Sequence, residues 1–386
     1  MALTHHLKDR HSPVRQFLEK SAPRLALAGS PGPLGREVAD EFSFYRLTSR
    51  ALTVPIPAGV EDKRTHASPV GMALDYRVRM MLGGSWVDGT TAQIGLQRFQ
   101  NNTKGIRYGR RMAQVLADAL ELAVQQAEAG TDEDQDRLAV VLAWCESFYR
   151  AGIHALIRGS IGKQLRNADS PAVLLESIDP LIILDLAALR RSSTSQIGQW
   201  SSAVQGGSRL ELNPDFDGSG AVGGADADWL IEDTLIDCKA TEQLGNAWIR
   251  KTLFQLVGYT LLDFDDSLKI RQIAIWLPRR QALQVWSLAE LLRAPVEQAL
   301  PELRASFEAM LRAWHEQMHE ESVARREAIA QWREEMEARW AAEEAAEALM
   351  VEERRARRRE ADRKRRKAKK AAALLAAVNA PSVPQL

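Results

Sequence analysis

The chain has 386 residues, enough for one large or two ordinary domains, and its 51 basic and 51 acidic residues give no net charge. The neutral total conceals a basic tail, because residues 351–370 carry twelve Lys or Arg against four Asp or Glu. Two distant cysteines offer neither a disulfide framework nor a cysteine metal site, and no apolar run reaches the roughly 18 residues that span a bilayer. With a polar N-terminus unlike a signal peptide, these features predict a cytoplasmic protein without membrane contact.

The first 66 residues form no regular pattern, which predicts an irregular segment that packs on the core. Spaced glycines from Gly29 to Gly35 suggest a nucleotide-binding loop, but no repeated strand–helix–strand pattern follows, so an ordinary loop is favoured. Further on, Ser68-Pro69 predicts the start of a helix, and Gly83-Gly84 predicts its end.

A second domain is predicted at 67–298, with a large helical insertion at about 85–205. Its helical patterns cover roughly 107–129, 133–159 and 180–191. The later elements are predicted to be strands at 210–212, 225–231 and 234–240, a helix at 246–262, and strands at 272–277 and 283–287. This order predicts an α/β fold, in which helices flank a small mixed sheet.

A long charged arm is predicted at 299–386. Residues 301–375 contain no glycine and only one proline, at their start, which indicates one long helix. Apolar side chains follow steps of three and four along it, and such a seam can pack on a second helix or self-associate. They are Phe307, Leu311, Trp314, Met318, Ile329, Trp332, Met336 and Trp340. The basic run 354–370 at its end can contact nucleic-acid phosphates, although a solvated helix end explains it equally well.

The chemistry of the chain concentrates in a predicted hairpin with a two-residue turn at Glu232-Asp233. Continuing the ladder from this turn predicts three cross-strand pairs: Ile231 with Thr234, Asp228 with Asp237, and Asp226 with Lys239. Because side chains alternate along a strand, the three aspartates and the lysine share one face.

Trp229 and Cys238 alternate to the other face of this hairpin, towards a core. Carboxylates at cross-strand distance repel unless a cation lies between them, and hard oxygen ligands beside a lysine suit Mg²⁺ or Mn²⁺ and phosphodiester chemistry. The alternative is a solvated strand edge without a ligand. The following helix places Gln255 and Tyr259 one turn apart on one face, where they can reach a substrate or support a ligand.

Asp228, Asp237-Cys238-Lys239 and the later Gln255-x-x-x-Tyr259 element resemble the PD-(D/E)XK nuclease superfamily, specifically its RecB-like branch. The resemblance covers about 68–290 and implies a restriction-endonuclease-like mixed sheet. Gly71 followed by Asp75 is similar to an upstream element of that branch, with Asp75 in the place usually held by histidine. Ala22 stands where many relatives have a cysteine, so an iron–sulfur cluster is not implied.

The resemblance implies a Mg²⁺-dependent nuclease that hydrolyses DNA, with Mn²⁺ as the other cation. Asp228, Asp237, the backbone carbonyl of Cys238 and Asp75 would bind the cation, and Asp226 is the reserve ligand. Lys239 would orient the attacking water or stabilise charge on the phosphate. Gln255 and Tyr259 would fix Lys239 or the phosphate.

Two other functions compete with this one. The first is an inactive nuclease fold that binds DNA or serves in assembly through its coiled-coil arm. The second is a zinc metalloprotease, because His315-Glu316-x-x-His319 places two histidines on one helix face with a glutamate as base. A helical rod offers no cleft and no ordered third ligand, which argues against the protease. A second basic cluster of Lys104, Arg107, Arg110 and Arg111 has a weaker claim to phosphate contact.

Overall fold

The computed structural model describes residues 2–83, 90–128, 130–158 and 161–378. Three residues at predicted helix ends, Gly84, Ala129 and Gly159, lie outside the described residues, as do the last eight residues of the predicted arm. Contacts divide the chain into two units, Met1–Ala313 and Trp314–Leu386. Every helix in the described ranges is too short or too polar to cross a lipid bilayer.

The N-terminal segment is helical, so its predicted irregular structure is wrong. It contains α1 Leu3–His6, α2 Pro13–Ser21, α3 Pro23–Leu27, α4 Pro33–Glu41 and α5 Phe44–Thr48. None exceeds nine residues, and helices of this length are unstable alone. Burial of Leu3, Val14, Leu18 and Leu25 against the rest of the unit therefore stabilises them. Two of the spaced glycines lie between α3 and α4. The last, Gly35, lies in the first turn of α4 and not in a loop.

Helix α6, Lys63–Met81, begins earlier than predicted. Asp62 caps it, since its carboxylate accepts hydrogen bonds from the backbone N–H groups of Arg64 and Thr65. Pro69 lies inside the helix, so the predicted start at Ser68-Pro69 is wrong. Gly83 follows the last turn with φ of 80°, as expected for a glycine that ends a helix.

A helical layer follows. It contains α7 Thr91–Asn101, α8 Gly109–Glu128, α9 Asp132–Ala151, α10 Ala155–Arg158, α11 Ile161–Asn167, α12 Pro171–Glu176 and α13 Pro180–Gln205. The three long helices predicted here are present as α8, α9 and α13, and α13 extends well beyond its predicted end at residue 191. Their buried side chains join those of α6 in one apolar cluster, so the layer is integral to the unit.

The sheet is five-stranded and mixed, in the order β1-β2-β3-β4-β5. Its elements are β1 Leu210–Leu212, β2 Trp229–Ile231, β3 Thr234–Cys238, helix α14 Asn246–Leu262, β4 Gln272–Leu277 and β5 Ala282–Ser287. Only β3 and β4 are parallel, because α14 carries the chain across between them. The α/β class and the mixed sheet are therefore confirmed. Both hairpin strands are shorter than predicted, since β2 begins at Trp229 and β3 ends at Cys238.

Helices cover both faces of the sheet. Trp229, Ile236 and Trp276 lie in the apolar cluster that the helical layer forms, and Cys238 packs against it half-buried. On the opposite face Leu235 is fully buried, and α14 contacts the sheet through β4. The carboxyl end of β3 therefore lies between α6 on one side and α14 on the other.

After α15, Leu288–Leu292, the chain ends in α16, Val296–Val378. Within the first unit, Phe307 and Leu311 of α16 are buried, and the Phe307 ring centroid lies 4.9 Å from that of Phe17. In the second unit Trp332 and Trp340 of the predicted seam are each about 60% accessible, whereas Trp314 and Met336 are partly buried. The long helix is confirmed, but a partner for its outer seam is not shown.

Candidate active site

The predicted hairpin register is confirmed by the backbone pairing. Ile231 pairs with Thr234 and Trp229 with Ile236, across a turn in which Glu232 adopts φ of 55°. Asp228 therefore directly precedes β2, beside the carboxyl end of β3. One oxygen of its carboxylate accepts a hydrogen bond from the backbone N–H of Cys238 at 2.6 Å.

Asp237 and Lys239 form the centre of the site. Asp237 is only 2% exposed, and its Oδ1 accepts a hydrogen bond from Lys239 Nζ at 2.6 Å. Its other oxygen, Oδ2, is buried and has no hydrogen-bond partner among the described residues. Burial raises the pKa of Asp237, although the charge of Lys239 opposes this shift. An unsatisfied buried carboxylate oxygen costs about 1–3 kcal/mol or more, which marks this atom as a candidate ligand.

The fold brings Asp75 to this pair from α6. Burial raises the pKa of Asp228 well above its usual range, and the negative charges of Asp75 and Asp237 raise it further. Asp75 has a pKa raised to about 6, chiefly by burial, although its ion pair with Arg79 opposes the shift. The carboxylates of Asp75 and Asp237 therefore both repel that of Asp228, as expected for a site that binds a cation.

Asp226 does not lie opposite Lys239, so this predicted pair is wrong. The ladder between the hairpin strands ends at Trp229, and Asp226 instead forms an isolated bridge with Asp215. The Asp226 carboxylate accepts a hydrogen bond from Arg150 Nη2 at 3.0 Å. The reserve ligand thus has an arginine as its partner, which disfavours it as a cation ligand.

Gln255 and Tyr259 reach the other side of the site from α14. Gln255 Nε2 donates a hydrogen bond to the Tyr259 hydroxyl at 2.8 Å, and the Tyr259 ring stacks on Phe216 at 5.3 Å. Burial raises the pKa of Tyr259, and the charges of Asp226 and Asp237 add to this effect. The hydroxyl of Tyr259 is therefore held by Gln255 within the electrostatic influence of Asp226 and Asp237.

Lys239 is protonated in this environment. Burial would lower the pKa of Lys239, but the neighbouring carboxylates of Asp237 and Asp228 outweigh it and raise the pKa above the usual value. Its side chain remains about one-third exposed. The lysine can therefore stabilise negative charge or orient a water molecule, and it is unsuited to accept a proton.

The arginines and the Trp248 ring around this centre were not among the site residues predicted from the sequence. A cleft of about 440 Å³ opens between α6, α9, α14 and the end of β3. Its lining includes Arg64, Gly71, Asp75, Glu146, Arg150, Asp228, Lys239 and Trp248. Arg79 was detectable from its spacing four residues after Asp75 on a helix. Glu146 and Arg150 have the same four-residue spacing on α9, but only the fold brings α9 to the hairpin.

Asp228 and Asp237 offer the hard carboxylate oxygens that a divalent cation such as Mg²⁺ or Mn²⁺ prefers. Among the described residues, Asp237 Oδ2 has no hydrogen-bond partner. Asp228 and Asp237 would hold the cation, with Asp75 beside them. The backbone of Cys238 lies beside the Asp228 carboxylate, because its N–H donates a hydrogen bond to it. Burial raises the pKa of the Cys238 thiol well above the usual value. Its carbonyl as a ligand stays a prediction.

A separate acidic group lies away from this cleft. Among the described residues, Asp217, Asp263 and Asp265 are the three acidic side chains whose oxygens lie within 4.8 Å of one another. Asp75, Asp228 and Asp237 do not meet this distance as a set of three. Asp263 is already bonded to Arg304 at 3.0 Å, and the other two are exposed, so ordinary surface acidity explains the group.

The residues of the predicted zinc site lie in the second unit of the chain. His315, Glu316 and His319 are all exposed on α16. Within the described residues, no third metal-binding side chain completes a set with them. The metalloprotease alternative therefore receives no support from the structure.

Comparison with known proteins gave no match to any family model, curated protein or solved structure.

Proposed function

We propose that the chain is a metal-dependent nuclease that hydrolyses phosphodiester bonds in DNA. The observation that carries the proposal is the Asp237 carboxylate, which is bonded through one oxygen to a protonated Lys239 and leaves the other oxygen without a partner among the described residues. Asp75 and Asp228 line the cleft together with Lys239, and their charges and that of Asp237 act on one another through Asp228. The mixed sheet with helices on both faces agrees with the fold that the PD-(D/E)XK resemblance implies.

Each side chain has a role in this proposal. A bound Mg²⁺ or Mn²⁺ would polarise the scissile phosphate and lower the pKa of a water molecule. Asp228 and Asp237 would hold that cation, and Asp75 would complete its ligand shell. Lys239 stabilises the charge that develops on the phosphate or orients the attacking water. Gln255 fixes the hydroxyl of Tyr259, and Tyr259 keeps Asp237 and Lys239 in position.

The test is cleavage of linear and circular DNA in the presence of Mg²⁺. We expect Lys239→Ala to lower the cleavage rate by about 10²-fold, because it removes a preorganised cation from the reacting phosphate. Lys269→Ala is the matched control, since Lys269 also pairs with an aspartate, Asp266, but lies outside the cleft lining. Equal rates for Lys239→Ala and wild type would contradict the proposed role of Lys239.

A second candidate is a nuclease fold that binds DNA or serves in assembly but has lost activity. It is favoured by one observation, the pairing of Asp75 with Arg79 and of Asp226 with Arg150, which places internal cations beside two carboxylates. Wild-type protein that binds DNA but never cleaves it would support this candidate. DNA contact through residues 354–370 and self-association through the outer seam of α16 remain parts of either proposal.

A further inference from the structure

Arg150 enters the cleft from the last turn of α9, in the helical layer. Its Nε donates a hydrogen bond to Glu146 Oε1 at 2.5 Å, and its Nη2 donates one to Asp226 Oδ2 at 3.0 Å. Despite these two ion pairs, its side chain is 48% exposed. The guanidinium is thus held at one edge and accessible at another.

Buried groups behind Arg150 fix its direction. Glu146 is 2% exposed and also accepts a hydrogen bond from the Tyr76 hydroxyl at 2.7 Å. Tyr76 Oη lies 3.2 Å from Thr91 Oγ1, so residues of α6, α7 and α9 all meet behind this arginine. Burial would raise the pKa of Glu146, but the charge of Arg150 and the Tyr76 hydrogen bond outweigh it and lower the pKa. Glu146 is therefore an ionised anchor.

Arg150 has hydrogen-bonding capacity to spare. A guanidinium carries five N–H donors, and the two hydrogen bonds to Glu146 and Asp226 use two of them. The other arginine of the carboxylate cluster differs: Arg79 is 3% exposed and lies in its ion pair with Asp75. Of these two arginines, Arg150 is the one that a molecule in the cleft can touch.

A phosphate that enters the cleft needs a cationic side chain, because the carboxylates there are negatively charged. A phosphodiester that approaches Asp228 and Asp237 meets strong repulsion, and Lys239 is already bonded to Asp237. Arginine matches the planar, two-oxygen face of a phosphate better than lysine does. We propose that Arg150 binds the non-bridging oxygens of the nucleic-acid phosphate in the cleft, and that Glu146 and Asp226 hold it in position for that contact. The inference rests on the proposed nuclease function and adds a phosphate-binding residue to it.

The experiment compares Arg150→Ala with wild type and with Arg137→Ala. Arg137 is the matched control, because it lies on the same helix, pairs with Glu133 four residues earlier and is 32% exposed, but lies outside the cleft lining. We expect Arg150→Ala to lower kcat/KM for Mg²⁺-dependent DNA cleavage by about 10²-fold, and Arg137→Ala to leave it unchanged.

A second readout separates phosphate contact from a structural role. In protein that also carries Lys239→Ala, DNA affinity is measured against salt concentration, with Mg²⁺ present. Loss of one phosphate contact should lower the slope of log affinity against log salt by about one. A substitution that only loosens the fold has no reason to change this slope by that amount.

Arg150→Ala leaves Glu146 buried without its cation, so the variant can fail to fold. The double variant Arg150→Gln with Glu146→Gln removes both charges and keeps neutral hydrogen-bonding groups, and we expect the same loss from it. The inference would be overturned if either variant folds and keeps both the wild-type salt slope of DNA affinity and the wild-type kcat/KM. An equal loss of kcat/KM in Arg137→Ala would also overturn it. Wild-type protein that neither cleaves nor binds DNA would overturn the proposed function itself, and the inference with it.

Discussion

Asp75, Asp228 and Asp237 are three acids whose native environment favours their protonated forms. Burial raises the pKa of each, and Asp228 also feels the charges of the other two. Such crowding opposes folding at neutral pH unless a cation is present. A cation bound in the cleft would offset the energetic cost of this arrangement.

This crowding predicts how Mg²⁺ stabilises the protein as pH changes. The pKa of Asp75 rises from 3.8 to about 6 on folding, so its contribution to stability is fully present below pH 3.8 and is lost as pH rises through about 6. That contribution is about 3 kcal/mol. Cation binding needs the ionised acid, so we expect the Mg²⁺-induced increase in Tm to be small near pH 5 and larger above about pH 6.

Thermal unfolding with and without Mg²⁺ across this pH range measures the effect. Asp75→Asn is the control, because it removes the titrating group and should flatten the pH dependence of the metal-free protein. An increase in Tm that is the same at every pH would contradict a carboxylate site of this kind.

Local geometry explains which site residues the sequence could predict. A two-residue turn fixes the register, so Asp228 beside Asp237 followed directly from the chain around Glu232 and Asp233. Asp226 could not be placed, because the ladder stops at Trp229 and the backbone reaches that point through Gly223 and Gly224, both at positive φ. The place of Arg150 in the cleft could not be predicted for a different reason: its pair with Glu146 is local to α9, but its contact with Asp226 forms only in the folded chain.

Among the elements, a buried ion-pair network joins α6, α13 and the end of β4. Arg279 donates hydrogen bonds to both oxygens of Asp185 at 2.8 and 2.7 Å, and one to the carbonyl of Ala240 at 2.8 Å. His66 Nε2 lies 3.0 Å from the same Asp185 carboxylate. Since Ala240 follows Lys239, this network also fixes the backbone beside the candidate active site.

We expect Arg279→Met to lower the free energy of unfolding by about 3–5 kcal/mol, because it leaves Asp185 buried without its cation. Urea unfolding measures the change. Arg280→Met is the comparison, since Arg280 is partly exposed and bonds only to backbone carbonyls of Arg50 and Glu242 in the described residues. A cost below about 1 kcal/mol for Arg279→Met would show that the network is dispensable.

Regular elements were predictable where one pattern ran uninterrupted. The bounds of α14 and β4 match the sequence prediction, because Gly245 directly precedes α14 and Pro278 directly follows β4. The N-terminal helices were missed because prolines separate them and none exceeds nine residues. These helices are stabilised by burial against the rest of the first unit rather than by helix propensity. The residues that they pack against are spread over the whole unit, so no local pattern predicts the helices.

At the scale of the whole molecule, neutral net charge hides a strongly uneven distribution. Residues 315–350 contain ten Glu and four Arg, whereas residues 351–370 carry the excess of twelve basic over four acidic residues. All described side chains of this basic segment are exposed on α16. The positive electrostatic potential of this segment therefore extends into the solvent and can attract a polyanion.

We expect replacement of five basic residues of α16 by glutamine to weaken DNA binding and to reduce its salt dependence. The five are Arg363, Lys364, Arg365, Arg366 and Lys367. Cleavage of DNA at saturating concentration should stay the same, because these residues lie outside the cleft lining. Arg325→Gln with Arg326→Gln, in the acidic part of α16, is the control, and unchanged binding in the five-fold variant would exclude a DNA contact here.

The exposed seam of α16 has a regular period. Met318, Ile329, Trp340 and Val351 are spaced eleven residues apart, and all four are more than 40% exposed. Eleven residues make slightly more than three full turns of an ideal α-helix, and a repeat of this length has about 3.67 residues per turn rather than the 3.5 of a heptad. A stripe with this spacing runs nearly straight along its helix, so two such arms in contact would wind gently to the right instead of forming a left-handed coiled coil.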